Sequence, residues 1–397
     1  MSDLQKKYHY GLPYLEQDDI DAVVDVLKSK WLTTGPKVLA FEAKLNEILG
    51  CKYSVACSNG SSALYVASKA LDFAEGDTVI VPSITFLATA NAPHMAGAKV
   101  VFADVCPTKG IITPETFAEA IDRAEGTVRA VFPVHLNGVP CAMNYIAEIA
   151  NQHNVTIVED ACHAIGGRYS TDGSMVGSCA HSSMSTFSFH PVKNFTTGEG
   201  GAVTTNDELL SERLRLLRNH GMQRGLPEKD GFESKVAGLE KLFYHMEEPS
   251  LNFRLSDISC VLGITQLQKL NRFLNKRELL KKRYESVLDN YNPYIMSVKS
   301  GAQVSPAWHL SPVQIDYVHF GTSRDKVMSA LAELGIYTQV HYYPVHKQPY
   351  YRRECSKTEL PGAQAYYEKT LSLPLHYALE ISDVDYICEQ LLGCLMR

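Results

Sequence analysis

Residues 186–201 read Thr-Phe-Ser-Phe-His-Pro-Val-Lys-Asn-Phe-Thr-Thr-Gly-Glu-Gly-Gly. The alternating small and aromatic residues suit a half-buried strand, which Pro191 ends. A single lysine, Lys193, follows, and then a turn with Gly198, Gly200 and Gly201. A lysine on a short loop between a strand and such a turn is fixed in place and partly desolvated. Desolvation lowers the pKa of its amine and makes it a nucleophile. Two other stretches carry matching groups. Residues 57–63, Cys-Ser-Asn-Gly-Ser-Ser-Ala, put Gly60, Ser61 and Ser62 at the start of a helix. Exposed N–H groups and two hydroxyls there suit a phosphate, although the same residues also make an ordinary helix cap. Residues 158–163, Val-Glu-Asp-Ala-Cys-His, put Asp160 at the end of a strand, pointing into the same crevice or capping the next helix.

A phosphate cradle, a carboxylate and a lysine, in that order, are the groups that pyridoxal phosphate (PLP) needs. The lysine forms a Schiff base with its aldehyde. The carboxylate keeps the ring nitrogen protonated, and N–H and O–H donors hold the phosphate. His163 could lie flat against the ring. Phe86, after the strand that ends near Pro82, could lie beside it. Core packing is the alternative for either.

The elements that must position these groups alternate. Strand-like runs at 53–56, 78–81, 100–103, 130–134 and 156–158 are separated by helical patterns at 63–71, 113–124 and 142–153. That alternation predicts a parallel sheet covered on both faces, with ligands at the carboxyl ends of the strands. Ahead of it, Ile20, Val23, Val24 and Leu27 have the spacing of a core-facing helix stripe. A second helix follows Pro36 and turns Val38, Phe41, Leu45 and Leu49 inward. Residues 221–249 read as a long, charged excursion. A long helix then runs to about residue 290. Strands at 312–316 and 337–342 and helices at 323–334 and 382–392 suggest a smaller α+β unit.

The net charge of −6 argues against a nucleic-acid binder. The one basic run, 271–283, carries apolar residues at helical spacing and reads as the wet face of the long helix. Ten cysteines form no CxxC pair, the first residues are no signal peptide, and no apolar run could span a membrane. Reduced thiols and a cytoplasmic location are expected. His341 and His346 have no carboxylate or cysteine between them, so no metal site is expected. The glycine turn at 198–201 is not GxGxxG and does not follow the first strand, which argues against a nicotinamide enzyme.

The chain resembles the DegT/DnrJ/StrS-type family of PLP-dependent nucleotide-sugar aminotransferases over nearly its whole length. The resemblance rests on Val-Glu-Asp-Ala-Cys-His-Ala-Ile-Gly at 158–166, on Phe-Ser-Phe-His-Pro-Val-Lys-Asn at 187–194, and on the Thr-Thr-Gly-Glu-Gly-Gly-Ala that follows. Pro-Val-His at 133–135, Asn-His-Gly at 219–221, Asn-Phe-Arg at 252–254 and Ser-Leu-Pro-Leu-His at 372–376 support it. It implies an α/β, aspartate-aminotransferase-like fold (PLP fold type I). Residues 1–255 would form a large PLP-binding domain with a mostly parallel sheet. Residues 256–397 would form a linking helix and a small α+β domain. It also implies a homodimer with active sites shared at the interface.

By the same resemblance Lys193 is the Schiff-base lysine and proton carrier, Asp160 holds the ring nitrogen and His163 stacks on the ring. Ser188 binds the phosphate with Ser61 and Ser62 beside Gly60, and Phe86 lies beside the cofactor. Asn252 and Arg254 reach the phosphate of the neighbouring subunit's cofactor. Relatives that dehydrate sugars carry histidine where this chain has Lys193, which favours transamination from glutamate. His-Gly-Met at 220–222, the excursion before Asn252, and Val-His-Tyr-Tyr-Pro-Val-His at 340–346 resemble members that aminate C4 of a UDP-linked 4-keto-6-deoxy-N-acetylhexosamine in pseudaminic acid biosynthesis. His341 and Tyr342 would close over that sugar. The alternatives are a dTDP- or GDP-linked sugar, amination at C3, or a non-catalytic PLP-binding regulator. The joint presence of Lys193, Asp160 and His163 weighs against the last.

Overall fold

In a computed structural model, residues 6–169, 172–224, 244–301, 304–353 and 358–396 are described. Runs rich in valine, isoleucine and alanine pair into one seven-stranded sheet. Its strands are β1 (Tyr53–Cys57), β2 (Thr78–Pro82), β3 (Lys99–Ala103), β4 (Val128–Val131), β5 (Thr156–Asp160), β6 (Met184–Ser188) and β7 (Gly201–Thr205). Their spatial order is β1-β7-β6-β5-β4-β2-β3. Strands β3 to β6 and β2 pair in parallel. Strand β7 is antiparallel to both its neighbours, because the glycine turn after β6 brings the chain straight back. The crossover helices Gly60–Ala70, Leu87–Met95, Pro114–Arg123 and Met143–Gln152 cover the sheet. Both faces are therefore dry, and every residue of β2 and β7 is buried.

Beyond this sheet, β8 (Met222–Arg224) and β9 (Tyr244–Met246) pair antiparallel. They are the described ends of the expected excursion. Residues 225–243 lie outside the described residues. Strands β10 (Ile295–Ser297), β11 (Ser311–Ile315) and β12 (Thr370–Leu373) form an antiparallel sheet. The helices Arg324–Glu333 and Ile381–Leu395 pack on each other, close to where the sequence places them. No described helix is long and apolar enough to cross a membrane.

Four expectations fail, each for a physical reason. The stripe on helix Gln17–Ser29 does not face the core. Ile20, Val24 and Leu27 are 50%, 37% and 52% exposed, whereas Asp19 and Val26 are buried. Asp19 turns inward because Lys269 Nζ at 2.7 Å and Gln266 Nε2 at 2.9 Å donate to its carboxylate. The same lysine interrupts the long helix, which is two helices, Asp257–Gln268 and Leu270–Leu288. The basic run is not all wet, since Arg277 and Lys281 are buried in it. Residues 337–342 make a single bridge, Gln339 to Ser372, and no strand. Their side chains are drawn off to other partners, described below.

Candidate active site

The carboxyl ends of β2, β5 and β6 open into a cleft of about 730 Å³. This is where an open parallel sheet offers room between diverging connections. Asp160 is the last residue of β5, and its side chain is 5% exposed. Its Oδ1 accepts the Cys162 N–H at 3.1 Å and its Oδ2 accepts the Thr89 hydroxyl at 2.6 Å. Lys193 sits on the loop after β6, half-buried, with its N–H donating to His190 O at 2.9 Å. Burial pushes the amine below its usual pKa, against the pull of Cys162 and Asp160. The Cys162 thiol beside it is pushed well up by burial and by Asp160, so it stays protonated and is no rival nucleophile.

His163 follows on the turn after β5. Its Nδ1 accepts the Asn137 N–H at 3.3 Å. The ring is held neutral by burial and by the nearby Lys193 amine, which keep its pKa well below the ordinary value. Its proton therefore sits on Nε2, 3.2 Å from the Tyr342 hydroxyl. His309, which sequence reasoning does not single out, packs against it with ring centroids 4.5 Å apart. His309 is likewise kept neutral by burial.

The other end of the cleft is a small, polar cradle. Gly60 opens the helix Gly60–Ala70, and a Cβ on it would lie 2.7 Å from Ser188 Cβ at the end of β6. Glycine is required there to bring the helix N-terminus up to the strand. Ser61 and Ser188 line the cleft. Ser62 does not: it is buried, and its hydroxyl donates to Asn59 O at 2.8 Å and accepts the Asn59 N–H at 3.0 Å. It caps the helix, which is the plainer of the two readings. Phe86 stands 56% exposed at the mouth, its ring 6.1 Å from that of Tyr342. A cradle that a methyl group would fill, with a buried carboxylate, a neutral histidine and a desolvated lysine beyond it, fits PLP.

Residues 339–348 cross the cleft as a strap. His341 Nδ1 lies 2.8 Å from Ser372 Oγ on β12, and His346 Nδ1 lies 2.6 Å from Ser83 Oγ beyond β2. The two histidines are thus anchors on separate serines. Among the described residues no group of three His, Cys, Asp or Glu side chains is placed to hold a metal ion. Asn252 and Arg254 run beside the cradle, with Ser58 N–H donating to Phe253 O at 2.8 Å and a bridge joining Cys57 to Arg254. Neither side chain lines the cleft of its own chain. Arg254 donates to Asn219 Oδ1, and its buried Nε has no hydrogen-bond partner.

Burial drives His341 down to about 3, with help from Lys193. It drives His346 to about 4, with help from Lys347, and His376 to about 4, with help from Arg277. An unfolded histidine takes up its proton near pH 6.5. Between the folded and unfolded values the unfolded state binds more protons, so this stability is fully present above about pH 6.5. It is lost as pH falls toward 4, by up to ~1.4 kcal/mol per histidine per pH unit. The melting temperature of the cofactor-free protein is expected to fall steadily from pH 6.5 to 4.5. A flat profile would show that these rings are already charged in the folded state.

A desolvated lysine, a buried strand-end carboxylate and a glycine-opened helix on this sheet define a PLP-dependent transaminase with the aspartate-aminotransferase-like fold. The chain belongs to the DegT/DnrJ/EryC1/StrS aminotransferase family, whose model matches residues 13–392. It is 34% identical over 392 residues to the spore coat polysaccharide biosynthesis protein SpsC of Bacillus subtilis, covering 97% of each chain. It is 34% identical over 389 residues to the UDP-4-amino-4,6-dideoxy-N-acetyl-beta-L-altrosamine transaminase of Campylobacter jejuni, covering 98% of this chain and 97% of that one. Among solved structures it superimposes on Helicobacter pylori PseC, an aminotransferase involved in the biosynthesis of pseudoaminic acid. The TM-score is 0.88 at 30% identity, over 98% of this chain and 99% of that one.

Proposed function

We propose that the protein moves an amino group from glutamate to C4 of a UDP-linked 4-keto-6-deoxy-N-acetylhexosamine, as a cytoplasmic homodimer that makes a precursor for a surface glycan or nonulosonic acid. One observation carries this: Lys193, Asp160 and His163 share a cleft whose far wall is a strap of neutral hydrogen-bonding side chains, Gln339, His341, Tyr342 and Gln348. Such a wall suits the hydroxyl and acetamido groups of a sugar. The named activity of the Campylobacter relative supports the choice of sugar.

Bound PLP supplies an aldehyde for the incoming amine and an electron-accepting ring. The chain's own residues do the rest. Lys193 would anchor the cofactor, and its Nζ would take the proton from the α-carbon of glutamate and later deliver one to C4 of the sugar. Asp160 holds the proton on the ring nitrogen. His163 would lie against the ring, kept uncharged by burial and by the nearby Lys193. The helix N-terminus at Gly60 binds the phosphate with Ser61 and Ser188.

Charge supports the second copy. Among the described residues that line the cleft, Lys193 is the sole lysine or arginine, set against Asp160 and Glu199. A cofactor phosphate, glutamate and a nucleotide diphosphate bring several negative charges, which need cations nearby. Arg254, with its unpartnered Nε, supplies one if it faces the site of a partner.

Incubation with glutamate is expected to convert the bound cofactor to its amine form, seen by absorbance. The UDP-linked 4-keto sugar, offered beside dTDP- and GDP-linked analogues, is expected to yield the amino sugar by mass spectrometry. Conversion by glutamate with a preference for another nucleotide would move the substrate. Absence of any conversion by glutamate would leave a PLP-binding regulator.

A further inference from the structure

Asp160 does not stand alone in its pocket. Thr89 Oγ1 donates to its Oδ2 at 2.6 Å, and Thr85 Oγ1 lies 2.7 Å from Thr89 Oγ1. A hydroxyl has one proton. That of Thr89 is used on the carboxylate, so Thr85 donates to Thr89. The result is a directed chain, Thr85 to Thr89 to Asp160, and both threonines are buried, 2% and 0% exposed. The residues lie four apart across the start of the helix Leu87–Met95, where such spacing brings side chains together.

We infer that Thr89 is a positioning residue for amino transfer: backed by Thr85, its hydroxyl fixes the plane in which Asp160 meets the ring nitrogen of PLP. This rests on the reading that Asp160 pairs with that nitrogen. A threonine inside a helix usually returns its proton to a carbonyl one turn back. Thr89 gives its proton to a carboxylate 71 positions away in the chain. The Cys162 N–H holds Oδ1 and the Thr89 hydroxyl holds Oδ2, so the carboxylate cannot turn about its Cβ–Cγ bond. Its remaining lone pairs keep a fixed direction, and an N–H donor is strongly bound only when it meets them in plane. Hydrogen bonds to a buried charge are among the strong ones, and a second hydroxyl behind the first polarises it further. Neither threonine need touch substrate for this to matter.

The test compares Thr89→Val, Thr89→Ser and Asp160→Asn holoenzymes, each checked for fold by circular dichroism. Three quantities are read: the ¹⁵N shift of the ring nitrogen with labelled PLP, the affinity of the cofactor-free protein for PLP, and the single-turnover rate with glutamate. Thr89→Val is expected to move the ¹⁵N shift toward the unprotonated value and to slow saturated turnover about 10- to 100-fold, with KM changed less than about threefold. Thr89→Ser, which keeps the hydroxyl, is expected to return the ¹⁵N shift to its wild-type position and the rate to within about threefold of wild type. If Thr89→Val will not fold, Thr85→Val carries the same test with a smaller shift in the same direction. An unchanged ¹⁵N shift and rate in the valine variant would overturn the inference, as would failure of the serine variant to rescue. An unchanged shift in Asp160→Asn would overturn the placement of Asp160 and this inference together, which distinguishes the two failures.

Discussion

Lys193→Ala is expected to abolish amino transfer, by about 10⁴-fold or more, while leaving the fold unchanged. The size follows from two duties that no neighbour can take over. The amine is the covalent anchor, and burial lowers its pKa, which suits it to move a proton between two carbons. Cys162 is held protonated, and His163, His309 and His341 have been pushed so far down that they accept protons poorly. The fold survives because the loop is held by its backbone. Lys193 N–H donates to His190 O at 2.9 Å, and Arg277 Nη2 donates to Lys193 O at 3.4 Å. Circular dichroism and the melting temperature should match wild type. Borohydride should fix the cofactor to the peptide that carries residue 193 in the wild-type protein, and nothing there in the variant. Wild-type turnover by Lys193→Ala would remove this residue from the mechanism.

The parts of the site that were legible in the sequence are those that local chain chemistry dictates. Asp160 ends a strand, Lys193 sits between a strand and a glycine turn, and Gly60 opens a helix, each within a dozen residues of its own signal. The parts that were not legible depend on distant partners. The Asn137 side chain meets the Tyr366 hydroxyl across 229 positions of chain, and its backbone N–H holds His163. His309 stands in an apolar Trp-His-Leu run and reads as core. A pair of threonines four apart after a strand end was the available signal for the Asp160 chain, and it is a weak one, since threonines cap helices everywhere.

The helix Gln17–Ser29 shows the limit most clearly. Periodicity finds an apolar stripe but not which way it faces. The inward turn of Asp19 depends on Lys269, 250 positions away. The strap near Tyr342 is the converse case. Its alternating side chains suit a strand, but Ser372 and His163 claim His341 and Tyr342, and the ladder stops after one bridge.

Lys193→Ala and Arg254→Ala are each expected to be nearly inactive alone and active when mixed. Arg254 runs beside its own phosphate cradle, bridged to Cys57, yet its side chain does not line its own cleft. Its guanidinium is tethered by Asn219 with Nε left unpaired. We propose that this cation, beside the cradle but outside its own cleft, serves the phosphate of a second copy. Removing it should lower cofactor retention and turnover about 100-fold, as loss of a charged hydrogen bond to an anion does. If subunits exchange at random, half of the dimers carry one of each variant. Each of these has one site with both Lys193 and the partner's Arg254, so the mixture should recover about a quarter of wild-type activity. If Arg254 served its own chain, every site in a mixed dimer would lack one of the two groups, and mixing would recover nothing. The two outcomes differ by far more than any error of assay, and the measurement needs no knowledge of the sugar, since glutamate conversion alone reports it.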